Sequence, residues 1–344
     1  MICVVKKALI TPEKRFSKLI YKADNICIIS HHNPDGDAIG SALGLYHILK
    51  KKKKNPVVII PNHLPDFLQW MPSAENILLY QNNPNEVCKK LAECNLIIMV
   101  DFNSLSRLGK MENCFENVTA PIVLIDHHPY PDIKAEVMFS DIRVSSTAEL
   151  VYQVTQASGL IKNIGKEAAA CLFTGIMTDT NSFTVNSSRP ITYKTTAALL
   201  KYGIDKDEIY RNVFNTFSTE RMQLLGYLLS EKMVIIPEYK TAFISMSLAE
   251  AKKYQFKTGD SEGFVNYPLS IKGIIFSAFL MERKDHIKLS FRSRGNFSVN
   301  KLIAQHFSGG GHKNAAGGEV FNMTLEEVSQ KLVSVLPIYK ELCD

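Results

Sequence analysis

Three short β-rich apolar runs in the first 130 residues each end in a polar cluster. ICIIS at 26–30 runs into HHNPDGDA, NLIIMV at 95–100 into Asp101, and PIVLI at 121–125 into Asp126, His127 and His128. Helical patterns intervene, one opening at Ile39 and one over about 84–93, and this alternation predicts a parallel sheet. Ligands of open parallel sheets sit beyond the carboxyl ends of the strands, so the three clusters are expected to converge there. Two amphipathic helices follow at 146–159 and 166–177, the first opened by Ser146 with Glu149 three residues on as a capping box. The polar stretch TDTNSF at 178–183 comes after them.

Beyond Pro190, helical patterns at about 191–202, 205–215 and 218–232 run without intervening strands and read as a connector. From 233 the texture changes to the strand-like runs MVIIP, TAFISMS, GIIFSAFLMER and HIKLSFRSR, a helical NKLIAQHF, the Gly-rich FSGGGHKNAAGG and a closing helix from about 324. The expected architecture is α/β: an N-terminal parallel-sheet domain with helices on both faces (1–190), a helical connector (191–232) and a smaller C-terminal α+β domain (233–344).

The chain has 344 residues, enough for two cores, since one core rarely grows beyond roughly 250–300 residues. Its 46% hydrophobic and 22% charged residues exclude global disorder, collagen-like repeats and coiled coil. No apolar run reaches the length of about 18 residues that a membrane span needs. Lys6 and Lys7 interrupt the opening segment before a signal-peptide core forms, so a cytoplasmic chain with no membrane partner is expected. Seven scattered cysteines without a CxxC pair argue against a disulfide framework and a zinc ribbon, leaving reduced, mostly buried thiols. The net charge of +6 has its most visible source in five lysines at 50–54, which close a helical pattern and complement its dipole. Charge alone does not make this a nucleic-acid binder.

Asp35 and Asp37 stand in a sharp strand-to-helix turn with His31, His32, Asn33, Pro34 and Gly36. Taken alone, such a turn reads first as an N-cap or a phosphate-facing loop. Apolar strands, however, also deliver Asp101 and Asp126, His127 and His128, and an apolar helix delivers Asp179; burying so many acids and imidazoles at one rim without compensation is costly. Two divalent cations would neutralise the carboxylates of Asp35, Asp37, Asp101 and Asp179, with His31 and His127 as neutral nitrogen donors. Mixed carboxylate and imidazole donors suit Mn²⁺, with Mg²⁺, Co²⁺ or Fe²⁺ as alternatives, and paired cations are a device for phosphoester displacement.

With these residues in view, the sequence resembles the DHH phosphoesterases over nearly its whole length. The motifs stand here as HHNPDGDAIGS, VDFNSLSRLG, LIDHHP and TGIMTDTNSF, and a DHH-associated C-terminal domain is signalled by GGGH at Gly309, Gly310, Gly311 and His312. The length is similar to that of the two-domain NrnA type, which acts on very short RNAs and on 3′-phosphoadenosine 5′-phosphate. The resemblance implies one metal on His31, Asp35 and Asp101 and a second on Asp37, Asp101, His127 and Asp179, with Asp126 orienting an imidazole. It implies attack of a bridging hydroxide on phosphorus, with Arg107, His128, Ser104 and Ser106 near the scissile phosphate. Arg292, Arg294, Gly309, Gly310, Gly311, His312 and Lys313 would clamp a terminal phosphate. The fourth motif departs from the family at Asn181, where Gly is usual; Asn tolerates left-handed backbone angles.

The implied partner is a short single-stranded RNA or nucleotide substrate, and the family suggests a homodimer. Two other functions fit less of the sequence: a cyclic or linear dinucleotide phosphodiesterase, whose membrane-anchored form carries spans and sensor segments, and a non-catalytic single-stranded RNA or nucleotide-binding module. Phe67, Trp70 and Tyr80 read as core or rim aromatics.

Overall fold

Residues 10–116, 118–257 and 259–343 are described by a computed structural model; the opening segment with Cys3, Lys6 and Lys7 lies outside them. The chain divides into two compact units, Met1–Thr216 and Phe217–Asp344. The first contains α1 (Pro12–Lys22), β1 (Asn25–Ile29), α2 (Gly36–Lys51), β2 (Asn55–Ile60), β3 (Leu78–Leu79), α3 (Pro84–Glu93) and β4 (Leu96–Val100). It continues with β5 (Ile122–Asp126), β6 (Val137–Ser140), α4 (Thr147–Ala157), α5 (Lys166–Asp179), α6 (Pro190–Leu200) and α7 (Lys206–Phe214).

Its six strands are all parallel, in the order β3-β2-β1-β4-β5-β6. Period-two alternation sends Ile26, Ile28, Ile98 and Ile125 into the core under α2, α4 and α5, while Cys27, Ile29, Ile97 and Leu124 enter a second core under α3. Both faces are therefore covered, which is why the strands read as unbroken apolar runs. The strand order reverses between β1 and β4, the switch point at which a doubly wound sheet opens a crevice.

Helices α2 and α5 approach closely along Gly36, Gly40 and Gly44. A Cβ at Gly40 would lie 2.6 Å from the Cys171 carbonyl oxygen and 2.8 Å from the Gly175 nitrogen. Of the three helices after Pro190, α6 and α7 belong to the first unit, and Leu199, Ile209 and Val213 join its core. Phe67 and Trp70 pack against that same core, and Tyr80 against the one under α3. The lysine run is anchored as well as solvated, because Lys51 donates to the Ile164 carbonyl (3.2 Å) and Lys54 pairs with Asp24 (2.9 Å).

The second unit holds α8 (Thr219–Glu231), β7 (Met233–Ile236), β8 (Thr241–Met246), α9 (Leu248–Lys253), β9 (Phe276–Glu282) and β10 (His286–Ser293). After these come α10 (Val299–His306), β11 (Ser308–His312), β12 (Ala315–Phe321), α11 (Leu325–Val335) and α12 (Lys340–Cys343). Its sheet has the order β11-β12-β10-β9-β8-β7 and is mixed, with only β8 and β9 parallel. The Gly-rich segment, to which the sequence assigns no element, forms the edge strand β11 at GGGH. Gly309 and Gly311 face the backbone of β12 so closely that a Cβ at either would collide with it.

One correction concerns the thiols. Cys88 on α3 and Cys114 in the 3-10 segment Leu105–Phe115 form a disulfide, while Cys27, Cys94, Cys171 and Cys343 are free. Scattered spacing gives no signal of the pair, because its partners meet only once α3 and the 3-10 segment share one face of the sheet. Among the described residues, no helix is long and apolar enough to cross a membrane.

Because only backbone faces Gly40, Gly40→Ala is expected to lower stability by about 2 kcal/mol. A Cβ at Gly226, inside α8, meets nothing within 4 Å, so Gly226→Ala should raise stability by up to about 1 kcal/mol. Urea unfolding of the two variants checks both signs.

Candidate metal centre

The loop leaving β1 carries His31, which is buried. Its Nδ1 lies 2.9 Å from the His32 carbonyl oxygen. A proton on Nδ1 donates there and leaves the Nε2 lone pair aimed at Asp101 Oδ2, 3.5 Å away. Asp35 is the N-cap of α2, and its Oδ1 accepts from the N–H groups of Asp37 and Ala38 at 3.0 Å each. The N-cap reading and the ligand reading are thus compatible, since one oxygen caps and the other is available.

Asp37 and Asp101 are 1% and 2% exposed. Asp37 accepts from the backbone N–H groups of Thr147 (2.6 Å) and Ala148 (2.8 Å), the first turn of α4, and the Thr147 hydroxyl donates to Asp101 at 2.8 Å. Asp101 itself is left-handed, with φ 67°, a strained conformation for a non-glycine residue at the end of a strand. His127 Nε2 lies 3.9 Å from Asp37, 3.7 Å from Asp101 and 3.7 Å from Asp179. Asp179 is the last residue of α5, where the negative end of the helix dipole adds to its charge.

Asp126 is fully buried and pairs with His128 Nδ1 at 2.8 Å, so the imidazole it orients is His128. Arg107 accepts the His32 N–H on its carbonyl (2.8 Å) and carries an exposed side chain. Ser104 and Ser106 share a hydroxyl hydrogen bond of 3.0 Å. Asn181 is left-handed, φ 44°, so the residue at the departure from the family pattern adopts the conformation its type tolerates.

Burial pushes the Asp37 carboxyl well above its usual range, and the charges of Asp101, Asp179 and Asp35 push the same way. Burial also opposes charge on Asp101, but the neighbouring His31, His128 and His127 imidazoles hold it below the usual carboxylate range. Burial lifts Asp179 to about 7, with His127 opposing and Asp35 and Asp101 adding. At His128 burial disfavours the charged ring, yet the hydrogen bond to Asp126 and the charge of Asp101 raise it to about 8.

Donor atoms of His31, Asp35 and Asp101, of Asp37, His127 and Asp179, and of Asp101, Asp126 and His128 gather in groups whose members all lie within 4.8 Å of one another. The separations of 3.5–3.9 Å between imidazole nitrogens and carboxylate oxygens are long for hydrogen bonds. They are close to the spacing of about 3–3.6 Å between ligands held about 2.1 Å from a shared ion. The donor set therefore fits divalent cations.

Thr147 and Ser41, whose hydroxyl lies 3.4 Å from Asp37, carry no signal of their own in the sequence. The only mark near them is the Ser146 cap. That cap is half of the expected box: Ser146 accepts from Glu149 N–H (3.0 Å), but the Glu149 carboxylate turns to Ser145 and Thr192. In the second unit, register places Arg292, Ala315 and His312 in one row, and Ser290, Gly317 and Gly310 in the next, on the same sheet face.

The pattern of the DHH family, N-terminal domain, matches residues 25–176, and that of the DHHA1 domain matches residues 240–336. The chain belongs to the DHH family and is a phosphoester hydrolase of that class. It is similar to a crystallised exopolyphosphatase-related protein from Bacteroides fragilis, at 44% identity over 100% of this chain and 99% of that one, TM-score 0.92. The bifunctional oligoribonuclease and PAP phosphatase NrnA of Thermus thermophilus is 28% identical over 319 residues, covering 90% of this chain and 89% of the relative. The cyclic-di-AMP phosphodiesterase PdeA of Listeria monocytogenes is 26% identical over 94% of this chain but only 49% of its own length.

In the metal-free protein, the His128 ring should titrate near 8, above the free value of about 6.5. Its charge then adds stability fully below about pH 6.5, and that contribution is lost as pH rises through about 8. Asp126→Asn should move the titration downward, as read by NMR of the imidazole resonances.

Proposed function

We propose that the chain is a two-cation phosphohydrolase that cleaves short oligoribonucleotides to mononucleotides and dephosphorylates 3′-phosphoadenosine 5′-phosphate. The observation that carries this reading is the buried acid and imidazole cluster at the carboxyl ends of β1, β4 and β5. The chain in which it lies matches an oligoribonuclease and PAP phosphatase along nearly the full length of both proteins.

His31, Asp35 and Asp101 would hold one cation, and Asp37, Asp101, His127 and Asp179 the other, with Mn²⁺ as the ion best suited to the donors. When bound, the pair supplies Lewis acidity and an activated water for displacement at phosphorus. Thr147 and the first turn of α4 fix the Asp37 and Asp101 carboxylates in advance of any ion. His128, oriented by Asp126, is placed to give a proton to the departing oxygen. Arg107 and Ser104 supply donors to the scissile phosphate. On the second unit, Arg292 and His312 border bare backbone at Gly310 and Gly317, a surface that lets a terminal phosphate approach the strand N–H groups. The first unit, Met1–Thr216, then serves the metals, and the second, Phe217–Asp344, holds substrate.

The test is release of mononucleotide from a 5′-phosphorylated RNA dinucleotide with Mn²⁺, beside 3′-phosphoadenosine 5′-phosphate, cyclic di-AMP and linear polyphosphate. We expect the dinucleotide and the bisphosphate to be consumed, with turnover lost on chelation and reduced at least a thousandfold in Asp101→Asn. Preference for cyclic di-AMP would favour a signalling-nucleotide phosphodiesterase, and preference for polyphosphate would replace the nucleotide reading. Tight RNA binding without turnover of any substrate would overturn the catalytic one.

A further inference from the structure

A cavity of about 670 Å³ opens beside the metal centre within the first unit, lined among others by His32, Asn62, Tyr80, Gln81, Arg107 and Lys110. These residues follow β1, β2, β3 and β4 in the chain, so the cavity occupies the same strand-end rim as the acid cluster. No carboxylate lines it, whereas Arg107 and Lys110 do. The first unit thus places a cationic hollow next to an anionic one.

The walls are held by hydrogen bonds, among them the Gln81 amide nitrogen 2.8 Å from His63 Nε2. Asn33 and Asn62 are clasped by two hydrogen bonds of 2.7 Å, one from the Asn33 N–H to Asn62 and one from the Asn62 amide back to Asn33. The His32 N–H donates to the Arg107 carbonyl at 2.8 Å. The Tyr80 hydroxyl donates to the Lys110 carbonyl at 3.2 Å, pinning the ring at its far end against the 3-10 segment. Gly109 supplies the kink of that segment, with φ 56° and ψ −137°.

We propose that this cavity is a nucleoside subsite. It takes the base and ribose attached to the phosphate lying over the metal centre, with Tyr80 as the stacking surface and Gln81 and Asn62 as amides for the base edge. The proposal deepens the phosphohydrolase reading and rests on it. Its volume falls within the roughly 300–1,000 Å³ of small-ligand sites. A pinned aromatic face beside cations is the combination that single-stranded nucleic acid binders use, since every base offers a π-face and every linkage a negative charge.

The experiment compares kcat/KM for a 5′-phosphorylated adenylyl dinucleotide with that for two analogues, each lacking one of the two bases. Wild type, Tyr80→Ala and Tyr80→Phe are assayed on all three. Stacking is worth about 1–3 kcal/mol per base, so Tyr80→Ala should lower kcat/KM for the complete dinucleotide about tenfold, through KM. It should have little further effect on the analogue missing the base that occupies the cavity, and Tyr80→Phe should resemble wild type. An equal loss on all three substrates, no loss on any, or a Phe variant as impaired as Ala would overturn the subsite.

If Tyr80→Ala does not fold, Tyr80→Leu replaces it. If wild type turns over no nucleotide, the phosphohydrolase reading fails, and the subsite is tested separately by calorimetric binding of the dinucleotide to metal-free protein. An affinity about tenfold weaker in the variant supports the subsite, and equal affinity rejects it.

Discussion

The structure depends on burying Asp37 and Asp101 side by side. Carboxylates withdrawn from water and set near one another are costly unless opposite charge or donors meet them. The fold answers in two ways: the first turn of α4 gives its free N–H groups to Asp37 and its Thr147 hydroxyl to Asp101. The imidazoles of His31, His127 and His128 then surround Asp101. The Thr147 hydroxyl and these imidazoles meet the Asp101 charge, whereas burial and the neighbouring carboxylates still press Asp37 and Asp179 toward the neutral form. What the protein leaves uncompensated is a place for cations.

The architecture can be read as the means of assembling that place. A parallel sheet reversing its order between β1 and β4 brings the ends of two non-consecutive strands together, and these ends carry His31 and Asp101. The close packing of α2 on α5 does the same for helices. α2 starts at the rim with Asp37 in its first turn, and α5 ends there with Asp179. Glycines at 36, 40 and 44 on α2 and Gly175 on α5 let the two axes approach closely enough. A tolerance of a few tenths of an ångström at Gly40 is therefore set by chemistry some distance along the helix.

Much of the centre is legible in the sequence because each acid or imidazole follows an apolar run, and packing alone gives a buried strand no reason to end in a cluster of acids and imidazoles. The strands β2, β3 and β6 are harder to read: β3 is two residues long, and β6 alternates without a strong apolar run. Thr147 is invisible because a threonine after a helix cap is ordinary; its meaning comes from Asp101, 46 residues earlier in the chain. GGGH carries no strand signal of its own, since glycine lowers strand propensity. Close pairing with β12, a strand itself containing Gly317 and Gly318, overrides that propensity. Glycine is required by proximity at Gly309 and Gly311, and at Gly311 also by its backbone angle, φ 143°.

Family membership and substrate choice come from different parts of the molecule. The acid and imidazole cluster can serve any phosphoester, and relatives with similar chains bear the names of an oligoribonuclease, a cyclic dinucleotide phosphodiesterase and an exopolyphosphatase-related protein. Discrimination among such substrates must come from groups that contact what differs among them, namely bases, sugars and chain ends. A polyphosphate offers no π-face to Tyr80 and no base edge to Gln81, so a cavity built from those residues would add nothing to its binding. The cations Arg107 and Lys110 would favour all of these anions alike. The uncharged part of the wall is therefore where the choice of substrate can be made, and the charged part is where the shared phosphate chemistry is held.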